Sequence, residues 1–345
     1  PLAISFFTFQ QIAYLVDSSK GLTKEYDFLS YCLFVSFFPQ LIAGPIVHHG
    51  EMMPQFSRKR SKVVHWENIF RGIVIISIGL FKKVIIADSL ASNVGAGFEA
   101  AGGALTFAEA WCSALSFTFQ IYFDFSGYTD MAMGSALMFN IKLPLNFNSP
   151  YKALDIQDFW RRWHMTLSRW LRDYVYIPLG GSKRGTLKIY RNLLITFLLG
   201  GIWHGAGWTF VIWGVLHGLA TCVHRVWKSK SLRLPRPIAW LVTFTFLTAA
   251  LVFFRARDLD SAAMVFKGLC GFGGLGFGHD HVYHVGKGDW ANLGILLGIT
   301  LFAKNSMEIT RKCKPRPWLL IALVIMVLMS VLNFTGFSEF LYFNF

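Results

Sequence analysis

The chain has 345 residues, 54% of them hydrophobic and only 15% charged, with a mean hydropathy of +0.45. Soluble domains carry about 25% charged residues, so this balance excludes an ordinary soluble domain and points to a polytopic helical membrane protein. The net charge of +14 would suggest nucleic acid in a soluble protein. Here the basic residues sit in short loops between apolar runs, which reads as topogenic charge beside anionic lipid headgroups and not as a nucleic-acid surface.

A membrane span needs about 20 mostly apolar residues. In chain order the candidates run 2–16, 28–47, 69–87, 105–123, 192–222, 238–254, 290–303 and 318–334. The alternating segments of about ten residues that a transmembrane barrel requires are absent. The first run opens on Pro1, with no initiator Met and no signal-peptide n-region, so the chain reads as a fragment whose upstream membrane helices are missing. The stretch "DFSGYTDMAMGSALMFN", 124–140, is less apolar and either extends the preceding helix or forms a re-entrant piece. Cys32, Cys112, Cys222, Cys270 and Cys313 are scattered without CxxC or CxxH spacing, which indicates neither a metal site nor a disulfide framework.

Loop charge sets the orientation. Arg58, Lys59, Arg60 and Lys62 mark one cytoplasmic loop, and Arg161, Arg162, Arg169, Arg172, Lys183, Arg184, Lys188 and Arg191 mark the stretch 141–191 as a second. Arg225, Lys228, Lys230, Arg233 and Arg236 mark a third, and Arg311, Lys312, Lys314 and Arg316 a fourth. The mixed-sign loop 255–289 suits the opposite side. For the second and third loops to share a side, 192–222 must leave the cytoplasm and return. It is therefore predicted to be a hairpin with "WHGAG" at its deepest point, which puts His204 well below the headgroups. An ionisable group there is by default a functional hypothesis.

Within 141–191 lies "DIQDFWRRWHMTLSRWLRDYVYIPLGGSKRG". Asp155 or Asp158 can cap a helix start, and Gly180–Gly181 ends the segment. Phe159, Trp160, Trp163, Leu167, Trp170, Leu171 and Tyr174 recur at helical spacing with arginines between them. The pattern predicts one amphipathic helix lying in the interface.

The ten histidines differ in prospect. His279, His281 and His284 have the spacing of a weak metal site but lack cysteine or an HExxH pattern, and no metal is expected. His48 and His49 suit an interfacial position, a supporting role at a cytoplasmic mouth or a passive one, while His65 and His224 read as boundary residues. His217 should pack in the same hairpin as His204. Asp124, Asp130 and Asn140, with Tyr122 and Tyr128, read as polar groups paired inside the protein. For His204 and His164, composition leaves both packing and catalysis open.

The runs "FWRRWHMTLSRWLRDYVYIPLGGSKRG" and "RNLLITFLLGGIWHGAGWTFVIWGVLHG" together resemble the paired signature of the membrane-bound O-acyltransferase (MBOAT) family. "PLAISFFTFQQIAYLVD" and "FFPQLIAGPIVHHGEMMPQF" further resemble its bacterial polysaccharide O-acetyltransferase branch, the one that serves alginate acetylation. The likeness runs from residue 1 to about residue 254. It implies an all-α MBOAT-type helical disc with a central tunnel, a single domain over 1–345 with 141–191 as its cytoplasmic-side amphipathic segment, and a multi-pass location in the cell inner membrane. It also implies His204 of "WHG" as the catalytic residue and His164 of "RRWH" as its companion. A neutral imidazole can take the proton of an acceptor hydroxyl as that oxygen attacks a thioester.

The implied donor is acetyl-CoA, a substrate and not a bound cofactor, with Arg161, Arg162, Arg169, Arg172, Lys183 and Arg184 available for its phosphates. The implied acceptor is an exported polysaccharide, alginate first, with cellulose and peptidoglycan open, and a periplasmic acetyltransferase partner completing the transfer. Two rival classes remain from the residues alone. One is a transporter with a midplane histidine, which would favour an internal repeat that is not seen; the other is a scaffold subunit without chemistry.

Overall fold

The computed structural model describes residues 4–23, 27–41, 43–100, 103–183, 185–276, 282–311, 313–334 and 341, and these form helices and connecting turns with no strand among them. The first helices are α1 (Ile4–Ser19), α2 (Phe28–Ser36), α3 (His49–Phe56), α4 (Trp66–Phe81), α5 (Ala91–Phe98) and α6 (Phe107–Met138). Two short helices follow, α7 (Ile156–Trp160) and α8 (Met165–Leu171), and then α9 (Thr186–His204), α10 (Trp208–Ser229) and α11 (Arg236–Arg255). The chain continues through α12 (Leu259–Leu269), α13 (Lys287–Phe302), α14 (Ser306–Arg311) and α15 (Pro317–Leu332). Two described helices, α10 and α11, are long and apolar enough to cross a membrane. The fold is that of a helical membrane protein.

The centre is α6. Its start is fixed by a capping box, in which Thr106 Oγ1 accepts from the Glu109 N–H while the Glu109 carboxylate accepts from the Thr106 N–H at 2.8 Å. The helix runs 32 residues, about 48 Å at 1.5 Å per residue, so 124–140 extends the preceding helix instead of forming a re-entrant piece. Nearly every position from Cys112 to Gly134 is buried, because α4, α5, α11, α12 and α13 all pack around it. Against α4 it runs antiparallel at very close range. A Cβ on Gly79 would lie 2.6 Å from the Gly127 carbonyl oxygen, and one on Gly127 would lie 2.7 Å from that of Gly79. Small residues of this kind let two backbones approach.

Along this seam α4 passes into a π-helical turn, Lys82–Ala87, that presents two lysines to α6. Lys82 Nζ is 2.7 Å from Asp130 Oδ2 and Lys83 Nζ is 2.7 Å from Asp124 Oδ1. The buried aspartates expected to be paired are so paired, with partners hidden inside the apolar run 69–87.

Two expectations need correcting. The run 28–47 is not one span: α2 ends at Ser36, a single 3-10 turn follows over Phe38–Gln40, and Gly44–Pro45 carries the chain on without helix. Nor is the segment around "FWRRWH" one amphipathic helix in the interface. It breaks after Trp160, and His164 takes a left-handed backbone, φ 40°, before α8 begins. Its apolar residues, Phe159, Trp163, Leu167 and Trp170, are buried in the protein core and not laid in lipid. The caps fall where expected: Asp155 Oδ1 accepts from the Asp158 N–H at 2.7 Å, and Gly180 and Gly181 both take positive φ at the end of the segment.

Candidate active site

Residues 192–222 form the predicted hairpin. The two helices α9 and α10 are antiparallel and joined by Gly205–Gly207. A Cβ on Gly201 would meet the Phe210 carbonyl oxygen at 2.4 Å, and one on Gly214 would meet that of Phe197 at 2.5 Å, so the helices touch through bare backbone. His204 is the last residue of α9. It packs on Trp203, stands edge-on to Trp213 at 5.1 Å and to Phe254 of α11 at 4.9 Å, and is 5% exposed.

A second imidazole shares that chamber. His217 of α10 is buried and lines with His204 a cavity of about 20 Å³, walled by Ile121, Tyr151, Phe159, Trp163, Trp213 and Phe254 among others. That volume holds one water molecule and little more. Trp160 Nε1 donates to His217 Nδ1 at 3.2 Å. An indole N–H can only donate, so His217 Nδ1 accepts and the ring keeps its proton on Nε2. Where the sequence leads to the expectation of a tunnel, the cavity that His204 lines among the described residues is of solvent-molecule size.

His164 precedes α8 directly and stands near His204. It is buried between Phe125 and Phe6, and its Nδ1 is 3.2 Å from Asn146 Oδ1. That oxygen also accepts from Thr166 Oγ1 at 2.9 Å, and Thr166 Oγ1 in turn accepts from the Ile46 N–H at 3.0 Å. Phe6 spans the gap, stacked on His164 and edge-on to Trp203. The structure thus brings His204 and His217 into one aromatic-walled chamber, with His164 joined to Trp203 through Phe6.

The cations expected at the donor divide. Arg161 and Arg172 line a second cavity of about 600 Å³, together with Arg225 and Lys228 of α10. Its floor includes Trp160, Leu171, Leu193 and Phe197. Asp173 pairs with Arg172 at 2.7 Å, and this hydrogen bond pushes the guanidinium pKa further up from its ordinary value. Arg162 is held elsewhere, by Asp158 at 2.8 Å, and Arg169 makes a bidentate pair with Glu51. Lys183 is exposed and outside the cavity lining. Arg184 lies outside the described residues, as do His279 and His281. His49 reaches Asp17 of α1 at 3.8 Å and His48 stands edge-on to Tyr174, so both stitch helices together.

Sequence reasoning missed Arg225 and Lys228, which look like ordinary loop charge until α10 is seen to carry them to the same rim as Arg161. It also missed the role of Trp160. That indole lines the 600 Å³ cavity and also packs on His217, Trp213, Phe197 and Phe159. Trp160 thus lines the cationic cavity and touches His217 and Trp213, two of the residues that wall the histidine chamber.

Residues 2–254 match the family model described as MBOAT, membrane-bound O-acyltransferase family. The peptidoglycan O-acetyltransferase of Helicobacter pylori is 54% identical over 308 residues, covering 81% of this chain and 58% of that protein. The probable alginate O-acetylase AlgI of Pseudomonas aeruginosa is 41% identical over 275 residues, 79% of this chain and 52% of that protein. The teichoic acid D-alanyltransferase of Bacillus subtilis is 31% identical over 275 residues, 74% of this chain and 69% of that protein. The chain spans about half the length of the first two of these relatives.

Proposed function

The chain belongs to the membrane-bound O-acyltransferase family, and from that premise we propose that it is an O-acetyltransferase for an exported cell-envelope polysaccharide. The donor is acetyl-CoA, bound from the cytoplasm with its phosphates on Arg161, Arg172, Arg225 and Lys228. His204 acts as general base. It takes the proton of an oxygen nucleophile reaching it from the far side of the membrane. That oxygen attacks the thioester carbonyl, the tetrahedral intermediate collapses, and the CoA sulfur leaves with the proton returned by His204. Base catalysis of this kind contributes typically 10² to 10⁴-fold, so holding both substrates in place must supply much of the remainder. A periplasmic acetyltransferase partner then completes polymer acetylation.

Trp160 gives this scheme a step of its own. With the chamber at about 20 Å³, a thioester in the larger cavity reaches His204 only after the indole swings aside. Until then the thioester is kept from the imidazole, which is the use of a gated site.

The observation that carries the reading is the placement of the "WHG" histidine at a glycine-packed helix contact, in a chamber one tryptophan away from a cation-rimmed cavity. For the acceptor, the 54% identity to a protein named for peptidoglycan exceeds the 41% identity to one named for alginate. We therefore favour peptidoglycan, with alginate as the second reading. Replacing His204 with Ala in the producing cell tests both points. Acetyl ester on isolated muropeptides should fall by about 10²-fold or more, with the membrane level of the protein unchanged. Wild-type acetylation in that variant would reject the catalytic assignment. Loss confined to a secreted uronic-acid polymer would select the second acceptor.

A further inference from the structure

Another cavity lies away from the histidines. It measures about 690 Å³ and is bounded by α4, the end of α6, the loop 139–148 and α14. Five cations line it, Arg58, Arg60, Arg71, Lys142 and Arg311, against the carboxylates Glu67 and Glu308. Both carboxylates are already engaged. Glu67 holds Arg71 Nη2 at 2.7 Å, and Glu308 accepts from the Asn305 N–H at 3.0 Å. No ion pair among the described residues involves Arg58, Lys142 or Arg311. The facing wall is apolar, formed by Ile75, Met133, Leu137 and Met307.

Loop charge that serves only to bias insertion needs no fixed geometry. This loop has one. Asn140 sits in the left-handed region, φ 59°, which asparagine tolerates better than most residues. From there its Nδ2 donates to the carbonyls of Arg60 at 3.0 Å and Val63 at 2.8 Å, and its Oδ1 accepts from Asn68 Nδ2 at 2.7 Å. Gln55 clamps the other strand of the rim: its Nε2 donates to the Lys142 carbonyl at 3.1 Å, and its Oε1 accepts from the Lys142 N–H at 2.8 Å. The backbone carrying the cations is thus anchored to the end of α6 before any ligand arrives. Such preorganisation lowers the ordering cost of binding.

We propose that this cavity is a binding site for an anionic phospholipid, its phosphate on Arg58, Lys142 and Arg311 and its acyl chain along Ile75, Met133 and Leu137. Guanidinium groups suit a phosphate because their donors form a fixed fork. The volume lies within the range of sites for whole organic ligands and exceeds what a phosphate fills, and the apolar wall accounts for the excess. The site shares no lining residue with the cavity at Arg161 and Arg172, so it stands or falls independently of the acetyl-transfer reading.

Native mass spectrometry and thermal melting of the delipidated protein in detergent test this, with dioleoyl-phosphatidylglycerol, dioleoyl-phosphatidylcholine and inorganic phosphate as probes. The wild type should keep a one-to-one phosphatidylglycerol adduct and gain melting temperature from it, and phosphatidylcholine should do neither. In the double variant Arg58→Gln, Arg311→Gln, binding should weaken about tenfold or more, since each charge-assisted hydrogen bond lost is worth about a decade. Lys183→Gln, outside the cavity, should bind as wild type. The melting temperature of each lipid-free variant verifies that it folds. Equal binding of the two lipids, or an unchanged affinity in the double variant, overturns the proposal. A melting shift by inorganic phosphate equal to that by phosphatidylglycerol overturns the lipid in favour of a free phosphate ligand.

Discussion

Two places carry polar groups deep among apolar helices, and they resolve the cost of burial differently. At the α4–α6 seam the groups are ions, and they are matched. Lys82 meets Asp130, Lys83 meets both Asp124 and Asp88, and Ser306 Oγ donates to the remaining oxygen of Asp130 at 2.7 Å. In the α9–α10 chamber the groups are imidazoles walled by rings and aliphatic chains, with a small void beside them and no carboxylate in the described lining. A matched ion pair has its chemistry used up in holding two helices together. An imidazole beside a void can meet a small molecule that enters it. On the proposed function the first place holds structure and the second holds the reaction, and that contrast can be broken from either side.

The largest effect should come from His204→Ala, and it should fall on rate alone. A loss of 10² to 10⁴-fold corresponds to about 3 to 5 kcal/mol of barrier, while the melting temperature in detergent should hold close to wild type. A comparable fall in melting temperature would erase the distinction, because the histidine would then be a packing residue. The seam should behave in reverse. Asp130→Ala leaves Lys82 buried without its counter-charge, both partners being nearly inaccessible, and removing one member of such a pair costs about 3 to 5 kcal/mol. Combining Lys82→Met with Asp130→Leu should recover most of the loss. Failure of the double variant to recover, with acetylation abolished in both, would mean that the seam ions also take part in transfer.

A smaller effect tests the frame that holds the chamber. Gly201→Ala would place a methyl 2.4 Å from the Phe210 carbonyl oxygen, and overpacking of this sort costs about 1 to 3 kcal/mol. The hairpin must open to take the methyl in, so activity should drop with stability. A variant that melts and acetylates as wild type would show that α9 and α10 are not in backbone contact at this point.

Much of this arrangement was readable from the chain. The loop charges forced 192–222 to double back, and the structure has that hairpin with "WHGAG" at its turn. The aspartates of 124–140 announced partners. What composition could not give was long-range: Lys82 and Lys83 sit in a run that reads as lipid-facing, and only the antiparallel register of α4 on α6 turns them inward. The left-handed backbone at His164 has no local signal either, because histidine does not call for positive φ as glycine does. It follows from the packing of Trp163 and Leu167 into the core on opposite sides of the break. Arg225 and Lys228 were legible as charge but not as cavity lining, since that depends on where α10 ends relative to Arg161.

The smallest expected effect bears on Trp160 itself. Trp160→Phe keeps an aromatic wall but removes the indole N–H that donates to His217 Nδ1 at 3.2 Å. A single intramolecular hydrogen bond contributes about 0.5 to 1.5 kcal/mol, so melting should shift only slightly. The tautomer should shift more visibly. With its donor gone, Nδ1 is no longer obliged to accept, and the proton can move between the two ring nitrogens. Nitrogen-15 spectra of histidine-labelled protein should show His217 as the Nε2–H form in the wild type and as a mixture in the variant. An unchanged spectrum would mean that the indole does not set the ring, and Trp160 would then be a wall only.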